Sequence, residues 1–340
     1  MAVKFLRRFV SKAIGLIICA GKKWSFRVNL RGEANWKGML SFSLMTPEAR
    51  DFLHEWMFHR ILEREGVLSP RYGYLQMRLN GESLGIYTWE EHFQKQLVEA
   101  AQRREGPIVK FEEGPLWEMR QREAQSGCAL IDKKTVPLAS PVSAFQEGKT
   151  MESAALNRQF GAARKLMEQY RTNAVPASEI FDVDLLGRFL AIAELTRTYH
   201  GLIWHNQRFY YNPVTARLEP IGFDGDTGGG VRYLLKQPFM GLGDTSVTKF
   251  PRDLYPAMYL FEDSLVADAY RRHLRRFCDP EWLATLHRDL DLDLRRYEKL
   301  IGREFPGYRY DRAFLGDNLA RICELLAQEN VRKNEKEGGP

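Results

Sequence analysis

The run His205-Asn206-Gln207-Arg208-Phe209-Tyr210-Tyr211, closed by Ile221-Gly222-Phe223-Asp224-Gly225-Asp226, constrains this chain more than any other stretch. Arg208 to Tyr211 is rich in aromatic, extended-forming residues, Asn212-Pro213 is a turn signal, and Leu218 to Phe223 is a second apolar run. The segment therefore reads as strand, turn, strand. Such a hairpin brings Asn206 and Asp224 close together. An amide oxygen and a carboxylate so placed suit a hard divalent cation held against phosphate oxygens. Polar hairpin ends are also commonplace, and the same residues read equally as a plain β-hairpin with polar ends.

The rest of the chain surrounds this hairpin with mixed elements. Trp24 to Arg31 and Met39 to Leu44 are strand-like, and Pro47 to Glu65 reads as one helix that starts after Thr46 as N-cap. His54 and His59 lie on it five apart, without an HExxH pattern, and read as helix-surface histidines rather than zinc ligands. Asn80-Gly81 joins Tyr72–Leu79 to Ser83–Thr88 as a strong hairpin signal. A helix is expected from Glu91 to Gln102, and a short apolar strand from Pro107 to Phe111. Lys110 leaves that strand, where it can meet phosphate as a compact point charge or simply reach water. Residues 126–150 read as a surface loop. Met151 to Tyr170 and Ser178 to Tyr199 have helical spacing, the second apolar on more than one side and hence buried. Gly228-Gly229-Gly230 opens a stretch to Pro251 that reads as a mobile loop, and the chain is helical from there to about Val331.

Composition sets limits. With 340 residues, 44% of them apolar and 12% aromatic, the chain fills a sizeable core. Its formal charge of +6 is spread, 50 basic against 44 acidic residues, which suits an anionic ligand. No nucleic-acid recognition motif or zinc-finger spacing is present, so no nucleic-acid partner is expected. Cys19, Cys128, Cys278 and Cys323 are far apart and read as free thiols. Lys4, Arg7, Arg8 and Lys12 before Ala13 to Ala20 have the order of a secretory signal with a very short apolar core, too short to span a bilayer. The alternative is a chain that begins inside a longer sequence. The first reading implies an exported or envelope-associated protein, the second a cytoplasmic one.

Together with the 205–226 segment, Lys23 to Val28, Phe42 to Arg50, Leu79-Asn80-Gly81, Leu84 to Tyr87 with Glu90 to Phe93, and Arg104 to Phe111 resemble the CotH kinase family. This is the spore coat protein H group of atypical kinases, and the likeness is to its proteobacterial-type branch. The blocks occur in family order from about residue 22 to near 330. The resemblance implies an α+β, two-lobed, protein-kinase-like fold. Its mixed β small lobe would span 22–125 and its mainly helical large lobe 151–331, with a boundary loop at 126–150, a signal-like or truncated segment at 1–21 and a charged tail at 332–340. It implies ATP between the lobes, Mg or Mn held by Asn206 and Asp224 with Asp226 as a further carboxylate, and Lys110 on the phosphates. Glu91 is the expected ion-pair partner of Lys110, with Glu90 and Glu118 as alternatives. No GxGxxG loop is present; Gly81 and Gly85 are its nearest substitute.

The implied reaction moves the γ-phosphate of ATP to a protein hydroxyl, serine by preference. The weak point is the base. Gly201 stands where kinases carry an Asp five residues before the metal Asn. His200 and Asp226 are the substitutes, since a neutral imidazole can accept a hydroxyl proton near pH 7. Two other readings stay open: another nucleotide transfer, such as AMP or amino-acid ligation, and a non-enzymatic pseudokinase that binds a coat or envelope partner. His287-Arg288-Asp289-Leu290 spells a kinase HRDL, but Leu294 stands where that motif needs Asn and the segment follows the metal Asp, so it reads as part of a helix.

Overall fold

The computed structural model describes residues 23–127, 136–225 and 255–337. In chain order, β1 (Phe26–Asn29) and β2 (Ser41–Met45) lead to a 3-10 turn (Pro47–Arg50), α1 (Leu53–Arg64), β3 (Tyr72–Leu79) and β4 (Glu82–Glu91). These four strands form one antiparallel sheet in the order β1-β2-β4-β3. The β3–β4 hairpin turns on Asn80 (φ 52) and Gly81 (φ 88), with Leu79 opposite Glu82. Two successive positive φ values are what a two-residue hairpin needs, and Asn-Gly supplies them at low cost.

Then follow α2 (Lys95–Ala100), β5 (Ile108–Phe111), α3 (Gly114–Ser126), α4 (Val136–Ala139), β6 (Val142–Ala144), α5 (Glu147–Glu152), α6 (Ala154–Thr172), α7 (Ala177–Ile180) and α8 (Val183–Thr196). The hairpin read from sequence is β7 (Arg208–Asn212) and β8 (Arg217–Ile221), and the described chain closes with α9 (Ser264–Phe277), α10 (Pro280–Ile301) and α11 (Phe314–Glu337). The second sheet, also antiparallel, runs β6-β5-β7-β8. The fold is therefore mixed α+β, as expected. The second sheet takes strands from both sides of the 126–150 segment. That segment is not a plain loop, because Val142–Ala144 pairs with β5; a three-residue strand among Ser and Pro leaves almost no periodicity to read.

Three further expectations are corrected. The helix over 47–65 is split: Asp51 (φ 47) is left-handed and Phe52 (φ 50, ψ −122) also has a positive φ, so a 3-10 turn precedes α1. Phe52 is held there by its ring stacked on Tyr308 (4.3 Å between centroids) and edge-on to Phe305 (5.1 Å), while its carbonyl accepts from the Tyr74 hydroxyl. A bulky residue at positive φ is strained, and tertiary contacts maintain it. The helix expected over 91–102 is shortened to α2, because Glu90 and Glu91 still belong to the ladder of β4 with β2 and β3. His59 is buried, not on the surface; it hydrogen-bonds Glu55 across one helical turn, at 3.1 Å.

The helical part packs on α8, whose Leu190, Ala191, Ile192, Ala193 and Leu195 are all inaccessible to water. α9 crosses α8 closely at Gly187, where an added Cβ would come within 2.5 Å of the Ala269 Cβ and 2.7 Å of the Tyr270 nitrogen. The expectation of four free thiols is overturned by a Cys278–Cys323 disulfide joining the end of α9 to α11. The two lie 45 residues apart, and only the return of the chain through α10 brings them together. Cys19 and Cys128 lie outside the described residues, as do the signal-like segment, Asp226 and the glycine triplet. The HRDL segment sits within α10, with Leu290 turned to the core and Asp289 on the surface paired to Arg64. Among the described residues no helix is long and apolar enough to cross a membrane.

Candidate active site

The end of α8 passes into a 3-10 turn (Tyr199–Leu202) that carries His200, and the chain reaches Asn206 just before β7. Asp224 follows β8 with φ 52, a conformation that Asp tolerates better than most residues. The hairpin thus closes Asn206 and Asp224 onto one imidazole. His200 Nδ1 lies 2.8 Å from the Asp224 carbonyl oxygen and 3.3 Å from its Oδ1. The Asn206 amide donates to the His200 carbonyl at 3.0 Å, and its nitrogen flanks the ring, 3.0 Å from Nδ1 and 3.3 Å from Nε2. With the proton on Nδ1, His200 donates to Asp224.

Electrostatics tighten this cluster. Arg50, delivered by the split before α1, is ion-paired with Asp224, and both are buried. Burial by itself raises the Asp224 pKa, but the Arg50 charge and the contact with His200 outweigh it and hold the carboxyl well below its ordinary range. Burial likewise lowers His200, yet the Asp224 carboxylate reverses the balance and raises it. For His205, beside Asn206, burial and the neighbouring His200 outweigh the pull of the Glu113 and Asp224 carboxylates and push it down to about 4. Behind Arg50 lie Glu55, His59 and Glu90, all buried, with Glu55 accepting from the Gly225 backbone N–H at 3.2 Å. Burial raises the Glu90 pKa against the opposing pull of Arg50.

Lys110 on β5 is directly opposite Arg208 on β7. Lys110 lies 5.5 Å from the Phe145 ring centroid, and Arg208 stands over Phe145 (5.5 Å), Phe93 (5.9 Å) and Phe223 (5.1 Å). Arg50 stands 5.3 Å from the other side of this group, at Phe223. Three cations thus converge on an aromatic trio one residue from Asp224.

The family model described as CotH kinase protein matches residues 19–304. The chain belongs to the CotH kinase family. No curated protein matches it significantly. Membership points to a kinase-like phosphotransferase. Asn206 and Asp224 are brought together, with His200 between them. Lys110 is in the neighbouring strand pair, but its ion-pair partner is Glu112, at 3.1 Å, and not Glu91. Glu91 is engaged by Arg71, whose backbone N–H donates to it at 3.1 Å and whose Nε donates at 2.8 Å. The difference follows from the sheets: Glu91 ends a strand of the first, Lys110 belongs to the second.

Two arginines of this cluster were not singled out from sequence. Arg208 lies inside the most informative run and Arg50 closes the Pro47-Glu48-Ala49-Arg50 block; an arginine within an aromatic strand is the signal that was available. Arg208 is 2% exposed, and its guanidinium donates to the carbonyls of His205 (2.7 Å) and Gln207 (3.0 Å). The donor set fits a hard cation: Arg50 and His200 take up Asp224 Oδ1, while the Asn206 nitrogen is spent on the His200 carbonyl. Among the described residues, Asp224 Oδ2 and Asn206 Oδ1 are the oxygens left to coordinate.

Proposed function

We propose that this protein is an ATP- and divalent-metal-dependent phosphotransferase with a two-lobed, kinase-like organisation that moves a γ-phosphate to a protein hydroxyl, serine by preference. The observation that carries the reading is the convergence of Asn206 and Asp224 on the His200 imidazole. Asp224 and Asn206, with Asp226, would hold Mg or Mn, which when bound neutralises phosphate charge and aligns its oxygens. Lys110 and Arg208 supply fixed positive charge to the phosphates. Phosphoryl transfer depends mostly on positioning and charge, so a cationic pair held by one sheet is suited to it. His200, with Nδ1–H donated to Asp224, presents Nε2 as the acceptor for the hydroxyl proton. Asp226 is the other candidate for that part.

One observation favours a pseudokinase as the second reading. A Cβ at Gly201 would lie 2.8 Å from the Phe223 carbonyl oxygen, so the backbone excludes an Asp side chain at the usual base position unless it shifts.

The test combines thermal shift with ATP and Mg or Mn with incorporation from γ-labelled and α-labelled ATP, for the wild type, Asn206→Ala and Asp224→Asn. The aspartate variant leaves Arg50 buried without its counter-charge, a loss of about 3–5 kcal/mol, so its folding is checked by circular dichroism. Metal-dependent γ-label transfer that disappears in both folded variants is expected. Transfer of α-label alone identifies a nucleotidyl transferase, and binding without transfer a pseudokinase. No shift in folded wild type removes the nucleotide site.

A further inference from the structure

We propose that Glu55, His59 and Glu90 form a separate binding site for one divalent transition-metal cation of the Zn2+ or Mn2+ class. Glu55 and His59 share a face of α1 at i and i+4, and β4 brings Glu90 to them. Their ligand atoms all lie within 4.8 Å of one another, and the residues are 0%, 3% and 5% exposed. Two buried oxygen ligands beside an imidazole make a mixed N/O set, which suits a borderline cation better than Mg2+ or Ca2+.

An independent feature points to a ligand. Glu90 Oε1 and His59 Nδ1 are buried without a hydrogen-bond partner, although buried polar atoms are almost always satisfied. The surroundings orient the set, as outer partners of metal ligands do. Gly225 N–H holds Glu55 Oε1, and the Tyr72 ring stacks on His59 at 4.9 Å. His59 and Tyr72 also line a cavity of about 390 Å³ between α1, β3 and α2, which gives an ion a route from solvent.

This inference does not rest on the nucleotide site, so it is tested without ATP. The chelator-stripped full chain is titrated with Zn2+ alone by calorimetry, and retained metal is counted by elemental analysis. One Zn2+ per chain and a raised melting temperature are expected for wild type, both lost in Glu90→Gln and His59→Gln with circular dichroism unchanged. X-ray absorption on the wild type keeps the test decisive where a variant unfolds. A shell of one imidazole and carboxylate oxygens supports the site, and a shell with sulfur or several imidazoles overturns it. No uptake by the folded chain, or equal uptake by both folded variants, also overturns it.

Discussion

His205 sits beside Asn206 with its ring edge-on to Trp117 and Trp204, so deeply buried that the charged form is disfavoured. Its folded pKa of about 4 lies below the value of 6.5 for an open histidine, so between those pH values the unfolded chain binds more protons. The stabilisation is fully present above pH 6.5 and is lost as pH falls toward 4, up to roughly 3 kcal/mol. His200 has the opposite sign: its raised pKa contributes stability below 6.5 that is lost as pH rises through the folded value. Urea midpoints measured from pH 4 to 8 should therefore peak near the unperturbed histidine value. In His205→Gln the acid-side fall should flatten while the alkaline side persists; an unchanged acid limb would show that other groups govern it.

Elements differ in how openly they announce themselves. The hairpins at Asn80-Gly81 and at 208–221 were legible because turn chemistry and aromatic alternation are local properties. That Asn206 and Asp224 approach one another was legible through the second of these hairpins, which they flank. Arg50, Glu55, His59 and Glu90 were not, since burial of a charged side chain is decided by what the rest of the fold places over it. The i, i+4 spacing of Glu55 and His59 was the one local sign, and the turn that splits the 47–65 segment, which carries Arg50 inward, had none. The α8–α9 crossing is equally a tertiary matter. Gly187→Ala would force a Cβ against Ala269 and the Tyr270 backbone, so the helices must separate. A destabilisation of about 1–3 kcal/mol is expected from overpacking of this kind, read as a lower denaturant midpoint with unchanged helix content. A neutral effect would mean that the crossing yields without strain.

At the scale of the whole molecule, the disulfide ties α9 to α11 across a helix of 22 residues. Closing a loop of this length stabilises chiefly by restricting the unfolded chain, typically by about 2–4 kcal/mol. Reduction should therefore lower the melting temperature while leaving the 205–226 hairpin intact, and a Cys278→Ser, Cys323→Ser double variant should match the reduced protein and no longer respond to reductant. A wild-type melting curve insensitive to reductant would count against the link. Strand pairing links distant stretches as well: β5, β6, β7 and β8, from before, within and after the 126–150 segment, share one sheet.

That pairing has a mechanical consequence. Lys110 and Arg208 face each other on one rung of the β5–β7 ladder, and Asn206 lies two residues before Arg208. Their spacing is thus as stiff as a β-sheet, and no hinge lies between the two side chains and the Asn206 end of the hairpin. A motion between this sheet and the one that carries Glu90 would stretch the ion pair of Arg50 with Asp224.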